Sequence, residues 1–165
     1  MPERAAFDPD PQLRALIRRE VDFLVVGGIA ASLHGSSRAT FDLDIVFASE
    51  RSNLEALGRA LQDLEARLRG VEEDVPFVAD ADTLRRIDVL TLDTTAGPLD
   101  VMRRPAGASA YKVLRRRAER FDLGEYDVLV ASIEDLIAMK RASARTKDLA
   151  DAEELEAILR RRAEK

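Results

Sequence analysis

The sequence predicts a layered α/β domain, with a small mixed sheet flanked by helices and a helical segment at the C-terminal end. Three observations predict it. Short apolar runs suited to buried strands alternate along the chain with segments of helical period, which calls for helices packed on a sheet. The stretch from Asp93 to Pro98 has hairpin chemistry between two apolar runs, so the strands it joins are antiparallel and the sheet is mixed. A chain of 165 residues, 46% of them hydrophobic, holds enough apolar material for one core.

The elements follow in chain order. Residues 1–12, with Pro2, Pro9 and Pro11, read as a flexible arm ahead of one domain at 13–165. Gln12 to Glu20 reads as a short helix. Phe23 to Val26 is a buried strand stopped by Gly27-Gly28, and Ile29 to His34 gives one or two helical turns closed by Gly35. Phe41 to Phe47 is a second strand. Ser52 and Glu55 form a capping box that opens a helix; Leu54, Leu57, Leu61, Leu64 and Leu68 are its core stripe and Gly70 its stop. Arg86 to Leu92 and Leu99 to Met102 are the hairpin strands, Ala108 to Glu119 is helical, and Tyr126 to Val130 is a short strand. Ser132 and Asp135 start a helix that runs to about Ala144, and a last helix covers Lys147 to Arg162, so that the C-terminal helices span about 132–163.

Bulk composition narrows the chemistry. There is no cysteine and only one histidine, His34, so thiolate sites and a His-built zinc site are excluded. Any metal is then a hard cation held by carboxylates. His34 itself reads as a capping or packing residue. The formal charge of −5 argues against a broad surface for gripping duplex nucleic acid. The clusters Arg115 to Arg117 and Arg160 to Arg162 lie beside acidic residues and read as solvated helix faces. No apolar run reaches the roughly 18 residues that cross a bilayer, and the polar start of the chain lacks a signal peptide's apolar stretch; a cytoplasmic location is expected.

The stretch from Val25 to Phe47 carries the functional signal. Asp42 and Asp44 lie two apart on a strand, so both carboxylates face one way while Leu43, Ile45 and Phe47 face the core. Carboxylates that close repel each other unless a divalent cation, such as Mg²⁺, sits between them; the plainer alternative is a solvated strand edge. Gly27 and Gly28 open a helix-like turn after a buried strand, where backbone N–H groups can approach a phosphate, or where the chain simply turns tightly. Arg38 and Thr40 precede the acidic pair. Arg38 can clamp a phosphate, or pair with Asp42 or Asp44.

Taken together, the order strand, Gly-Gly, short helix, Arg-x-Thr, Asp-x-Asp resembles the nucleotidyltransferase superfamily related to DNA polymerase β. Thirteen residues separate Gly28 from Asp42, slightly more than the family's usual spacer, and Gly28 stands where many members carry serine. The family requires a third carboxylate on a later strand. Asp88, Asp93 and Asp100 are the choices; Asp93 lies at the turn and Asp88 follows two arginines, whereas Asp100 sits between apolar strand residues, where a charge needs a reason. Asp100 is therefore selected. The segment from Ser132 to Asp151 is similar to the branch that includes toxins of bacterial abortive-infection and toxin–antitoxin systems, in which a helical lysine and a Lys-Asp-x-x-Asp segment close the site. Lys140, Lys147, Asp148 and Asp151 match it by pattern, with surface salt bridges as the plainer alternative.

The resemblance implies a nucleotidyltransferase fold and metal-dependent transfer of a nucleoside monophosphate from a triphosphate, ATP among the candidates, to an acceptor hydroxyl with release of pyrophosphate. It implies two Mg²⁺ ions, or Mn²⁺ in their place, on Asp42, Asp44 and Asp100. Gly27, Gly28, Arg38, Thr40 and Lys140 would hold the nucleotide. It also implies a tRNA or protein acceptor and an antitoxin partner. The rival expectation is a catalytically silent binding module of the same fold.

Overall fold

The computed structural model describes residues 6–71 and 77–165. Of the expected flexible arm, residues 1–5 lie outside that range, but Asp10 to Gln12 form the first turn of helix α1 (Asp10–Arg18). This helix begins two residues earlier than the sequence suggests. Pro11 fits the first turn because its missing N–H would have no partner there. Gln12 is fully buried and its amide donates to the carbonyls of Gly97 and Pro98 at 2.9 and 3.1 Å.

After α1 come β1 (Phe23–Val26), α2 (Gly27–Leu33), β2 (Leu43–Phe47), α3 (Arg51–Asp63) and β3 (Arg67–Leu68). Next are α4 (Ala81–Arg86), β4 (Val89–Thr94), β5 (Gly97–Met102), α5 (Tyr111–Arg117), β6 (Glu119–Asp122), β7 (Asp127–Val130), α6 (Ile133–Ser143) and α7 (Thr146–Ala163). The strands form one seven-stranded sheet in the order β3-β4-β5-β2-β1-β7-β6. It is mixed: β2 runs parallel to β5 and β1 to β7, and the other pairs are antiparallel. The fold class is thus the expected one. None of the described helices is long and apolar enough to cross a membrane.

Register explains which face holds the core. Leu43, Ile45, Leu99, Val101, Leu90 and Leu92 alternate onto one face of the sheet and are buried, as period-two patterning requires. On the opposite face of β4, Val89, Thr91 and Asp93 are exposed. β4 and β5 form the expected hairpin, with Thr94 opposite Gly97 and the Thr94 hydroxyl donating to the Gly97 carbonyl at 2.7 Å.

Strand β2 starts at Leu43 rather than Phe41, which leaves Asp42 just ahead of the strand instead of on it, and four further boundaries differ from expectation for local reasons. α3 starts with Glu50 as its cap, and Ser52 lies inside the helix, so the Ser52–Glu55 capping box does not form. α3 also stops at Asp63 rather than at Gly70. Glu65 takes a left-handed conformation (φ 50°), and the N–H groups of Glu65 and Ala66 return to the carbonyls of Gln62 and Leu61, a Schellman closure; Leu68 then pairs in β3 with Leu92. Arg86 ends α4, capped by Asp80 accepting from the Thr83 N–H at 2.7 Å, instead of starting a strand. The expected helix 108–119 shortens to α5, because Ala118 is extended and Glu119 enters β6. The cap at Ser132 does form: its hydroxyl accepts from the Asp135 N–H at 3.1 Å.

Glu65 closes α3 in a conformation that costs an L-residue about 1–2 kcal/mol, and its negative charge sits at the wrong helix end. Glu65→Gly is expected to stabilise the protein by roughly 0.5–1 kcal/mol after the entropy cost of glycine. Urea denaturation reads this directly, and an unchanged or lower midpoint would contradict it.

Candidate functional site

Asp44 and Asp100 lie side by side because β2 and β5 pair in parallel with these two residues in register. Asp42 precedes β2 by one residue, and its carboxylate reaches the same face. One oxygen from each of Asp42, Asp44 and Asp100 lies within 4.8 Å of the others. Among the described residues this is the one acidic group so arranged. Asp88 and Asp93 are exposed and turned to other tasks: Asp88 accepts from Arg103 at 2.6 Å, and Asp93 from Arg69 at 3.1 Å.

The glycine turn makes room for this cluster. Gly27 has φ +68°, and a Cβ built on it would stand 2.0 Å from Oδ2 of Asp44. A Cβ on Gly28 would stand 2.6 Å from Oγ1 of Thr40. Both glycines are thus required by the chain's own packing, which lets Asp44 and Thr40 press against the β1–α2 turn. Thr40 in turn donates to Oδ1 of Asp42 at 3.3 Å.

Across from the carboxylates lies a basic wall. Lys140 of α6 is partly buried, with Nζ 3.1 Å from Asp151 and 3.4 Å from Asp148 of α7. Arg38 also bonds Asp151, at 2.5 Å, and not Asp42 or Asp44. Asp148 and Asp151 are therefore buried anchors for these cations rather than exposed partners. The lysine is not in a surface salt bridge. Asp148 further accepts from Arg145 at 2.8 Å and from the Ser143 hydroxyl at 2.5 Å. A polar cavity of about 300 Å³ joins both walls, lined by Gly28, Arg38, Thr40, the three aspartates, Lys140, Arg145, Lys147, Asp148 and Asp151, among others. Gly27, whose missing Cβ leaves room for Asp44, does not line the cavity.

The electrostatics follow from this layout. Burial, then the charges of Asp42 and Asp100, push the Asp44 carboxyl up to about 8, with Lys140 opposing them. Burial also raises Asp100, and the neighbouring Arg69 opposes it. Burial works to raise Asp148 too, but the bonds from Ser143 and Arg145 and the Lys140 charge outweigh it and hold this carboxyl at about 2. The charges of Asp42 and Asp100 thus bear on a half-buried Asp44 that is hydrogen-bonded to Asp100, while the second acidic pair is satisfied by the chain. Clustered hard oxygen donors short of compensating charge fit a divalent cation.

Two residues of the site escape sequence reasoning. Arg69, just past β3, donates to Asp100 at 3.3 Å, and no local motif marks it. Arg145 lies ahead of the matched Lys147-Asp148 pair, where no motif marks it. His34 is a packing residue: it is buried, Nε2 bonds the Ala131 carbonyl at 2.8 Å, and Phe121 meets its ring edge-on.

Comparison with known proteins gives the family and the fold. Residues 14–157 match the family described as nucleotidyl transferase AbiEii toxin, type IV TA system. No curated protein sequence matches the chain. Among solved structures, the lincosamide antibiotic adenylyltransferase LnuA, bound to lincomycin, is similar with a TM-score of 0.59 and 15% identity, over 88% of this chain and 92% of that one. The antibiotic-resistance factor ANT(2'')-Ia gives a TM-score of 0.56 and 17% identity, over 93% and 90%. A Thermotoga maritima protein, TM1012, named as a nucleotidyltransferase, gives 0.52 and 15%, over 98% and 99%. At these identities the structural likeness shows the fold.

The raised Asp44 carboxyl has a measurable consequence without metal. Between its unfolded value of 3.8 and about 8, the folded chain holds a proton that the unfolded chain has released. The Asp44 contribution to stability is complete below that window and is lost as pH rises through it. With EDTA present, wild-type unfolding free energy should fall more steeply from about pH 5 to 8 than that of Asp44→Asn. Parallel curves would show that Asp44 is not in this environment.

Proposed function

Since the chain belongs to the nucleotidyl transferase AbiEii toxin family of type IV TA systems, we propose that it transfers a nucleoside monophosphate from a triphosphate to an acceptor hydroxyl, releasing pyrophosphate. We read it as the toxin of a toxin–antitoxin pair, with a tRNA or a protein as acceptor and an antitoxin as its partner. The observation that carries the activity is the group of three carboxylates within 4.8 Å, opening onto a cavity whose other wall bears Arg38, Lys140, Arg145 and Lys147.

In this reading Asp42, Asp44 and Asp100 hold two Mg²⁺ ions, with Mn²⁺ able to replace them. Such ions, when bound, neutralise charge at the reacting phosphate and lower the pKa of the acceptor hydroxyl. The chain's own part is positioning and charge. Lys140 and Arg38 face the triphosphate, and Asp148 and Asp151 hold those cations in place. Gly27 and Gly28 let the turn lie close against the carboxylates and the nucleotide, and Thr40 orients Asp42. Asp100, outermost of the three in the sheet, takes the proton of the acceptor hydroxyl. The adenylyltransferase similarity of LnuA makes ATP the first triphosphate to try.

The test is labelling. The protein is incubated with cell extract, Mg²⁺ and each triphosphate labelled at the α-phosphate. A labelled macromolecule is expected with at least one of them. Asp44→Asn should lower that labelling by at least about a hundredfold while keeping the folded far-UV spectrum, and Asp88→Asn should leave it within about twofold. Full labelling by Asp44→Asn would sink the assignment. No labelling by the wild type, together with no Mg²⁺-dependent binding of any triphosphate in calorimetry, would favour the silent module.

A further inference from the structure

Each carboxylate of the cluster has its own means of being held. Asp44 is confined by strand pairing and by Gly27, and Asp42 accepts from Thr40. Asp100 lies farther out, half-buried, where β5 meets the exposed face of β4. There a row crosses the sheet: Asp44 opposite Asp100, Asp100 opposite Thr91, and the Arg69 N–H donating to the Thr91 carbonyl at 3.0 Å. From the end of that row the Arg69 guanidinium reaches back to β4 and β5. Its Nη2 donates to the Leu92 carbonyl at 2.8 Å and to Oδ1 of Asp100 at 3.3 Å, and its Nε donates to Asp93 at 3.1 Å. A planar fork fixed at two of its nitrogens has little freedom left. Its third bond therefore sets the direction of the Asp100 carboxylate through Oδ1.

We propose that Arg69 is a positioning residue for Asp100, serving the acceptor half of the site while the Lys140 wall serves the nucleotide half. This rests on the transferase reading above. Two features separate it from a plain tie between strand edges. Arg69 already has the Leu92 carbonyl and Asp93 for that purpose, and the Asp93 side chain is 56% exposed, so that pair alone is weak. The bond to Asp100 instead reaches past β4 to β5 and holds a carboxylate whose close neighbours are Asp42 and Asp44, the latter hydrogen-bonded to it.

The experiment compares Arg69→Ala, Arg69→Lys and Asp93→Asn with the wild type in the labelling assay, and measures Mg²⁺-triphosphate binding by calorimetry. Arg69→Ala should lower kcat at least about tenfold, the usual cost of losing a group that orients a metal-binding side chain. Its KM and calorimetric affinity for the triphosphate should stay within about twofold, which also shows that the variant is folded. Arg69→Lys should not restore kcat, because a lysine lacks the fork. Asp93→Asn, which keeps the bond to Asp100, should stay within about threefold of wild type. Wild-type kcat in Arg69→Ala, an equal loss in Asp93→Asn, or a loss of triphosphate affinity matching the loss of kcat would each overturn the proposal. If the wild type itself neither labels nor binds Mg²⁺-triphosphate, the transferase reading fails first and Arg69 falls with it. A wild type that works alongside an unaffected Arg69→Ala removes only the role of Arg69.

Discussion

Repulsion among Asp42, Asp44 and Asp100 is the constraint around which the structure is arranged. Three carboxylates within 4.8 Å cannot all be ionised cheaply in a partly buried site: burial, then the charges of Asp42 and Asp100, push Asp44 up to about 8. Parallel pairing of β2 with β5 brings two of them together, and the bare backbone of Gly27 lets the turn after β1 close over them. A side chain at Gly27 would have to displace Asp44 itself. The chain supplies only partial relief, from Lys140 on one side and Arg69 on the other. In the proposed reading, a divalent cation would complete what those two charges begin.

The second acidic pair shows the contrast. Asp148 and Asp151 are more deeply buried than the cluster, yet each is paired within the chain. Buried charges that are paired and hydrogen-bonded are tolerated, and losing one partner of such a pair is costly. The α6–α7 hairpin can therefore present Lys140 at a fixed place, and Arg38, on the loop before β2, is bound to the same anchor. Two acidic groups thus play opposite parts: one is left short of positive charge, and the other spends its charge on holding cations.

Much of this was legible in the sequence where the signal was local. The Gly-Gly turn, the spacing of Asp42 and Asp44, and the Ser132 cap are short-range patterns, and the structure realises each one. Asp100 could be selected over Asp88 and Asp93 because a charge between apolar strand residues needs a reason, and it meets Asp44 across the sheet. Arg69 could not be found this way, since it reaches Asp100 only through the pairing of β3 with β4, a non-local contact. The same limit explains the end of α3. The leucine stripe continues its spacing through Leu68, but Glu65 turns left-handed and Leu68 joins a strand, so the periodicity outlasts the helix. The partners of Arg38 and Lys140 were likewise undecidable before α7 was placed, because Asp151 lies on a separate element from both.

The most direct test of the account is where a divalent ion binds. Crystals grown with Mn²⁺ and a non-hydrolysable triphosphate would be measured for anomalous scattering at the manganese edge. The account predicts an anomalous peak bonded to carboxylate oxygens of Asp42, Asp44 and Asp100 together, at about 2.0–2.3 Å, on the cavity side of the cluster. Ordered triphosphate with no such peak, or a peak bonded elsewhere with the three carboxylates left bare, would contradict it.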